Sequence, residues 1–233
     1  MTAGDPWEAL LAAASALQRL LPGAVLVGGT AAALRVGHRV SLDADHVIPD
    51  LRLRFDAVLA ELESAAGWTT ARVMRPVLVL GALDGIETGI RQLRRSEPLA
   101  VETITLRNGD SVRVPTGAEM LRIKAWMYAT RNSQRDLLDV VALADHLGDA
   151  AATDALASLD RLYPQPGSAS VTQQLVQQLA APHPTDAIDG RLSDPMTLYR
   201  SVDERYATAD LVLARATHLA ALLLATVAPP FSE

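Results

Sequence analysis

A Gly-Gly-Thr turn followed by a closely spaced pair of aspartates constrains the fold more than any other feature of the sequence. The pattern predicts a buried strand that ends at Gly28 and Gly29, a short helix that begins at Thr30, and a second strand that carries Asp43 and Asp45. Side chains two residues apart on a strand point to the same face, so these carboxylates are expected to lie side by side. Such a pair repels itself unless a cation lies between the charges, and a divalent metal bound to phosphate oxygens is the usual cation.

The glycines before the acids are suited to holding an anion. Gly28 and Gly29 allow backbone N–H groups to approach a phosphate closely, and the first turn of the helix at Thr30 adds its positive end. The alternative is that both acids lie on a solvated strand face. Apolar residues surround the acids, as expected for a strand with one buried face, so we predict a metal-binding pair and nucleotide chemistry.

Composition narrows the class of protein. The chain has 233 residues, enough for one large domain or two small ones, and its 49% apolar content supports a real core. It has no cysteine, which excludes disulfides, thiolate metal sites and cysteine nucleophiles. The N-terminal residues do not resemble a signal peptide, and the apolar segment Leu211–Ala228 contains Arg215 and His218, which favours a core helix over a membrane span. We therefore predict a cytoplasmic protein without a membrane partner.

The charge distribution is uneven along the chain. The net charge is −6, yet residues 91–135 hold eight arginines and Lys124 against four acids, a local excess of five positive charges. Such a zone suits polyphosphate or an RNA end, although arginine-rich surfaces are also common without that role. Lys124 is the only lysine, which suggests that a compact ammonium is required there; a solvated helix face is the alternative.

The order of the predicted elements indicates an α+β protein. Two hairpins, turning at Asp84-Gly85 and at Asn108-Gly109, lie in the first half of the chain, and helices follow Pro115. The predicted fold is a small mixed β-sheet core flanked by helices over residues 1–114, with a helical region over 115–233 that completes the active site. The individual predictions are helices at 6–21, 30–36, 50–66, 116–131, 133–147 and 153–162, a long final helix from Pro195, and strands at 24–27, 40–47, 69–74, 77–83, 86–93, 101–106 and 111–114.

These motifs resemble a known superfamily. Gly28-Gly29-Thr30 with Arg39-Val40-Ser41-Leu42-Asp43-Ala44-Asp45 is similar to the signature of polymerase-β-like minimal nucleotidyltransferases. The AbiEii group, toxins of type IV toxin–antitoxin systems that include the MenT-like mycobacterial toxins, resembles the chain most. Lys124 and Arg135-Asp136-Leu137-Leu138-Asp139 resemble that group's later motif, so the resemblance covers roughly residues 24–147 and leaves the C-terminal third unmatched.

The resemblance implies a reaction and a set of roles. Two carboxylates hold Mg²⁺, which grips the triphosphate of an NTP, and a substrate hydroxyl attacks the α-phosphorus. The residues thereby implied as metal ligands are Asp43 and Asp45. Those implied in nucleotide binding are Gly28, Gly29, Thr30, Arg39, Ser41 and Lys124.

Two acids in the later motif have different explanations. Asp136 is the third residue of a helix capped by Ser133, so a local structural role explains it. Asp139 lies one turn further on without such an explanation. We therefore predict that Asp139 is the functional acid, which orients Lys124 or the substrate.

The sequence offers one candidate for the third carboxylate of the superfamily. Superfamily members usually carry one on a neighbouring strand, near the attacking hydroxyl. Asp84 is explained by its turn, so Glu87 is the candidate third metal ligand. Arg91 shares a face with Glu87 and is predicted to bind the triphosphate or to pair with that glutamate.

Ser41 is a separate candidate, because it shares a face with Asp43. The resemblance implies a serine whose phosphorylation silences the enzyme; the alternative is a serine that simply fills a strand position.

The predicted function is transfer of a nucleoside monophosphate from an NTP to an acceptor, with the tRNA 3′ end and a cognate antitoxin as partners implied by the resemblance. Two alternatives stay open. The acceptor is a protein or a small-molecule hydroxyl such as that of an antibiotic, or the protein is a catalytically silent nucleotide-binding partner.

Overall fold

A computed structural model of the chain describes residues 5–188 and 191–227. The residues before Asp5, on which the signal-peptide prediction rests, and Ala228 lie outside the described part. Two compact units emerge from the described residues. The first comprises residues 5–34 and 40–116, and the second comprises residues 35–39 and those that follow Thr116.

The first unit is built on a five-stranded mixed sheet. The strands lie in the order β1-β2-β5-β4-β3, with β2 and β5 parallel and the other neighbours antiparallel, and β6 pairs with β7 in a separate hairpin. This confirms the α+β prediction. The elements are α1 (Pro6–Leu20), β1 (Val25–Leu26), α2 (Gly28–Val36), β2 (Ala44–Ile48), α3 (Phe55–Ser64), β3 (Trp68–Met74), β4 (Leu78–Leu83), β5 (Ile86–Gln92), β6 (Val101–Thr105) and β7 (Ser111–Pro115).

The hairpin between β4 and β5 places β5 beside β2. Asp84 and Gly85 both adopt positive φ, 51° and 81°, as the tight turn predicted from the Asp-Gly pair requires. In the parallel ladder that follows, Asp45 of β2 lies opposite Gly89 of β5. Beneath this sheet α1 and α3 contribute to a buried aliphatic core, with members such as Leu17, Leu21, Ile48, Val58, Leu62, Val79 and Ile90. Each fully buried side chain of this kind contributes about 1.5–3 kcal/mol.

Helices make up the second unit. They are α4 (Gly117–Arg131), α5 (Gln134–Leu147), α6 (Asp149–Leu156), α7 (Leu159–Leu162), α8 (Val171–Ala180), α9 (Pro195–Leu198) and α10 (Ala209–Val227). The predicted cap of α5 is confirmed, since the Ser133 hydroxyl accepts a hydrogen bond from the Asp136 N–H. Almost every side chain of α5 from Leu137 to Ala144 is buried, so this helix is the centre of the unit.

Two predicted elements of the first unit begin later than expected. The strand predicted over 40–47 begins at Ala44. The neighbouring strand β1 ends before Gly28, where α2 begins, so residues 40–43 have no partner strand on the β1 side. Asp43 therefore precedes the strand. The helix predicted from Asp50 begins at Phe55, since the Asp50 carbonyl accepts a hydrogen bond from the Leu53 N–H, 3.0 Å away, in a separate turn.

The C-terminal helices also differ from prediction. The helix predicted over 153–162 is divided in two, and the Ser158 hydroxyl donates to the Ala155 carbonyl at the break. The helix that begins at Pro195 ends at Leu198, and the Asp194 carboxylate accepts the N–H of Ala209 at the start of α10 instead. Helix α8 was not predicted.

One helix among the described residues, Ala209–Thr226, is long and apolar enough to cross a membrane by length and composition. A buried core helix passes the same test. One stripe of α10 does pack inward, formed by Val212, Ala216, Leu219, Ala220 and Leu223.

Candidate functional site

The segment of the first unit that carries Asp43 and Asp45, called the acid segment below, is held by hydrogen bonds at the start of α2. The Thr30 hydroxyl donates to the Asp43 carbonyl oxygen at 2.5 Å, and the Ser41 hydroxyl donates to the Asp43 carboxylate at 2.8 Å. Thr30 and Ser41 are both buried, whereas Asp43 is partly exposed. The hydroxyls of the two predicted nucleotide-binding residues are thus directed at the acid segment. They hold Asp43 in place beside the helix start.

Asp45 lies between two glycines for which no other residue substitutes easily. A Cβ atom on Gly89 would lie 2.4 Å from the Asp45 Oδ1 atom, and one on Gly28 would lie 3.3 Å from the Asp45 Cβ atom. Gly28 also has a φ of +75°, which side chains rarely adopt. The first N–H groups of α2, including that of Gly29, have no partner within the helix. A carboxylate and a helix start are therefore held in close contact.

The structure pairs Arg91 with Asp45 and not with Glu87. The Arg91 Nε atom lies 3.4 Å from the Asp45 Oδ1 atom. Glu87 is exposed, and its carboxylate has no hydrogen bond or ion pair with another described residue. Among residues 5–188 and 191–227, no three acidic or histidine side chains come together as a metal site. The predicted three-ligand set is therefore not assembled.

Two carboxylates nevertheless fit the demands of Mg²⁺. This ion binds hard oxygen ligands and commonly takes only one or two from protein carboxylates, with water and substrate phosphates supplying the others. Asp43 and Asp45 are partly exposed, and the contact between Arg91 and Asp45 is long, so both carboxylates are accessible to solvent. The residues present are chemically suited to the metal that the resemblance implies.

Asp139 is the centre of a buried network in the second unit. Its Oδ1 atom lies 2.6 Å from the His38 Nε2 atom and 2.8 Å from the Arg39 Nε atom. Its Oδ2 atom lies 3.0 Å from the Arg39 Nη2 atom and 2.6 Å from the Lys124 Nζ atom. A carboxylate accepts about four hydrogen bonds. Asp139 therefore has its capacity filled by these three side chains.

The charge state of Asp139 follows from its neighbours. Burial alone raises the pKa of this carboxyl, but Lys124, Arg39 and the hydrogen bond from His38 outweigh burial and hold the pKa well below its usual value. The carboxylate is ionised and cannot move without breaking charge-assisted bonds. Of the two roles predicted for Asp139, the contacts favour orienting Lys124.

Lys124 does not lie on a solvated helix face. Its side chain is 2% exposed, and its ammonium contacts Asp136 at 3.3 Å in addition to Asp139. An ammonium has three N–H donors, so these contacts leave one for another acceptor. Asp136 therefore does more than the predicted local capping, because its carboxylate contacts Lys124 in addition to accepting a hydrogen bond from Ser133.

Arg39 is also committed to this network. It binds both oxygens of Asp139 with its guanidinium fork, and the ring of Tyr199 lies 5.8 Å from its central carbon. Its predicted role in nucleotide binding is not visible in these contacts. Of the other arginines in the basic zone, Arg113 donates to the Ala24 carbonyl and Arg122 to the Ala155 carbonyl, so part of the zone has a structural use.

Several contacts around His38 and the start of α5 are not predicted from the sequence. The Asp203 N–H donates to the His38 carbonyl at 2.9 Å. Gln134, at the start of α5, accepts from the Ser193 N–H, and its own N–H donates to Asp186. The signal available for His38 was its position beside Arg39. The residues after 183 carried no recognisable signal.

No family model matches the chain. The chain is 37% identical over 120 residues to the mycolic acid-containing lipids exporter MmpL11 of Mycolicibacterium smegmatis, and 39% identical over 98 residues to the heme uptake protein MmpL11 of Mycobacterium tuberculosis. These matches cover 49% and 41% of this chain, but the chain spans only 13% and 10% of the length of the two relatives.

Two solved structures resemble nearly the whole chain, and a third resembles two thirds of it. MenT4, a nucleotidyltransferase toxin from M. tuberculosis H37Rv, matches with a TM-score of 0.57 and 19% identity over 96% of this chain and 85% of its own. A candidate nucleotidyltransferase from H. pylori matches with a TM-score of 0.51 and 18% identity over 96% and 97%. ANT(2″)-Ia, solved with adenylyl-2″-tobramycin, matches with a TM-score of 0.51 and 12% identity over 67% and 98%. The chain therefore has a MenT-like nucleotidyltransferase fold.

Proposed function

We propose that this protein is a Mg²⁺-dependent nucleotidyltransferase toxin that transfers a nucleoside monophosphate from an NTP to the 3′ end of tRNA. The observation that carries the proposal is the acid segment. Two partly exposed aspartates, Asp43 and Asp45, are held against the start of α2 by Thr30 and by the Gly28 turn. Carboxylates at a helix start match a metal-bound triphosphate, because the metal neutralises the acids and the helix N–H groups bind phosphate.

The residues have distinct tasks in this proposal. Asp43 and Asp45 hold the ion, which when bound neutralises charge on the triphosphate and on the leaving pyrophosphate. The N–H groups of Gly28 and Gly29 bind phosphate oxygens. Arg91 keeps Asp45 oriented and offers its guanidinium to the substrate. The acceptor hydroxyl attacks the α-phosphorus in line, so the protein supplies position and charge rather than a covalent intermediate.

The choice of a tRNA acceptor is supported by the resemblance to the AbiEii group and by the structural similarity to a nucleotidyltransferase toxin over 96% of the chain. A tRNA end is polyanionic, and the excess of five positive charges in residues 91–135 suits it. The proposal also includes action in the cytoplasm, where tRNA is charged, and restraint by a cognate antitoxin protein.

The test is transfer of label from α-³²P-labelled NTPs to purified total tRNA in the presence of Mg²⁺. The wild-type protein is expected to label RNA, and Asp43→Asn is expected to lower the rate by at least about a hundredfold. Glu61→Gln, which removes an exposed acid of the same unit, is the matched control and is expected to keep the wild-type rate.

Two outcomes of this experiment would contradict the proposal, each in a different way. Mg²⁺-dependent NTP binding without labelled RNA would exclude tRNA as the acceptor. Absence of metal-dependent NTP binding would reject nucleotidyl transfer altogether and would favour a catalytically silent protein that kept the fold.

A second acceptor class is favoured by one comparison. ANT(2″)-Ia, solved with an adenylylated antibiotic, shares the fold over 67% of this chain. An antibiotic hydroxyl would use the same acids and the same attack on the α-phosphorus. Incubation of the protein with labelled NTP and an aminoglycoside in place of tRNA separates the two, because the label appears on a small molecule only in this case.

A further inference from the structure

We propose that His38 is a positioning residue that fixes the Asp139 carboxylate and thereby sets the orientation of the Lys124 ammonium. The hydrogen bonds of this network do not depend on any reaction, whereas their effect on turnover rests on the proposed function.

The direction of the hydrogen bond between His38 and Asp139 is defined by chemistry. An ionised carboxylate only accepts, so the His38 Nε2 atom carries the hydrogen that is shared over 2.6 Å. Asp139 is ionised because Lys124 and Arg39 face it from α4 and from the segment before β2. Hydrogen bonds with ionised partners are shorter and stronger than those between neutral groups, and this contact is short.

Each of the four bonds to Asp139 constrains the others. Arg39 holds one edge of the carboxylate through both oxygens, which leaves a single remaining site on each oxygen. His38 occupies the site on Oδ1 and Lys124 occupies the site on Oδ2. Loss of the His38 bond frees the carboxylate to tilt about the Arg39 fork, and the 2.6 Å contact with the Lys124 Nζ atom then lengthens.

A packing role does not explain a histidine at this position. The side chain is completely buried, and its Nδ1 atom has no hydrogen-bond partner among the described residues. A buried polar atom without a partner is costly, so an apolar side chain would fill the space at less cost. The histidine is understandable if the bond from Nε2 to Asp139 is required. The bond from the Asp203 N–H to the His38 carbonyl holds the residue in place.

Two substitutions distinguish hydrogen bonding from packing. In His38→Gln the amide nitrogen occupies nearly the position of Nε2 and keeps the donor to Asp139. In His38→Asn the amide nitrogen lies near the position of Nδ1 and does not reach Asp139. Both variants remove the imidazole and leave a neutral amide.

The single lysine makes the network directly observable. Protein labelled with ¹⁵N in the lysine Nζ atom gives one ammonium signal, that of Lys124. We expect its protons to exchange slowly with water in wild type and in His38→Gln. In His38→Asn we expect exchange about tenfold faster, as for loss of one charge-assisted bond. Wild-type exchange in His38→Asn, or fast exchange in both variants, would overturn the proposal.

A measurement on the unsubstituted protein guards against a variant that fails to fold. ¹⁵N-labelled histidine is expected to show hydrogen on the Nε2 atom of His38. A neutral ring with hydrogen on Nδ1 alone would overturn the proposal, because Nε2 would then have nothing to donate.

The consequence for catalysis has its own readout. For NTP-dependent release of pyrophosphate, His38→Asn is expected to lower kcat about tenfold with little change in the KM for NTP, and His38→Gln is expected to recover most of the loss. If the wild-type protein shows no transfer, the proposed function fails while the exchange experiment still decides the network. A raised KM with unchanged kcat in His38→Asn would contradict the positioning role.

Discussion

Asp45 and Asp139 are both carboxylates that contact an arginine, yet the Asp45 side chain is 27% exposed and Asp139 is completely buried. Asp45 has a long arginine contact of 3.4 Å and lies against Gly28 and Gly89, where an added Cβ atom would contact its side chain. Asp139 accepts four hydrogen bonds from three cationic or ionisable side chains. The first carboxylate is available to a ligand from solution, whereas the second can act only on its neighbours in the protein.

This difference separates two uses of the same functional group. A carboxylate that binds a metal needs free lone pairs and tolerates weak contacts in the empty state. A carboxylate that positions other groups needs full occupancy and burial, because burial makes each bond stronger and more directional. The comparison predicts that the two aspartates respond differently to the same substitution.

The largest effect is expected for Asp139→Asn on stability. This change leaves Lys124 and Arg39 buried without their shared countercharge, which costs about 3–5 kcal/mol in the free energy of unfolding. Denaturant unfolding monitored by circular dichroism measures the change. Asp45→Asn is the matched control and is expected to change the free energy of unfolding by less than about 1 kcal/mol. Equal losses for both variants would remove the distinction.

Acidification is expected to act on the two regions in different pH ranges. Burial lowers the pKa of His46, which follows Asp45, to about 4, partly offset by its bond to the Ala44 carbonyl. Below pH 6.5 the unfolded chain binds a proton that the folded state refuses, so stability falls by about 3 kcal/mol between pH 6.5 and pH 4. The stabilisation that ionised Asp139 gives to the folded state is lost only below its unfolded pKa of about 3.9, because its pKa in the folded state is lower still.

Unfolding curves measured from pH 7 to pH 3 check this prediction. His46→Gln is expected to flatten the dependence between pH 6.5 and pH 4 without affecting the further loss below pH 4. A profile in His46→Gln that matches wild type would show that another group titrates in this range.

For activity, unlike stability, the larger loss is expected from substitution of Asp45 rather than Asp139. Asp45→Asn removes a proposed metal ligand and is expected to reduce nucleotidyl transfer by at least about a hundredfold, equivalent to about 2.7 kcal/mol in the activation barrier. Mg²⁺-dependent NTP binding, followed by calorimetry, should weaken in parallel while the thermal midpoint remains near that of wild type. Full activity in a folded Asp45→Asn protein would show that this carboxylate is not a ligand.

The smallest effect is expected at Tyr199, whose ring lies against Arg39 of the buried network. Tyr199→Leu removes a cation–π contact worth about 0.5–1 kcal/mol in the free energy of unfolding. Tyr199→Phe keeps the ring and is expected to match wild type. A larger loss in Tyr199→Phe than in Tyr199→Leu would assign the effect to the hydroxyl instead.

Local signals predicted much of this molecule. The Asp84-Gly85 hairpin, the Ser133 cap and the α+β class depend on interactions within a few residues or on strand periodicity, and the sequence displays these directly. The predicted placement of the acid pair on one strand is wrong for Asp43, which precedes β2. That error arose because the Thr30 hydroxyl, and not a strand neighbour, holds the Asp43 backbone.

The buried network was beyond prediction for a physical reason. His38 and Asp139 are separated by 101 positions, and no periodicity or turn chemistry links them. The resemblance to a known motif suggested Asp139, but the contact that fills its last lone pair comes from a residue outside that motif. The same applies to Asp203, whose N–H donates to the His38 carbonyl from a part of the chain that has no motif.

The burial of Lys124 has a practical consequence. Reagents that acylate primary amines normally modify many positions on a protein surface, but this chain has one lysine and its side chain is 2% exposed. Acylation of Lys124 therefore requires the helical unit to open, and the rate at which Lys124 itself is modified in native buffer reports how often it does so. The chain carries its own probe of transient unfolding at the network on which its chemistry is proposed to depend.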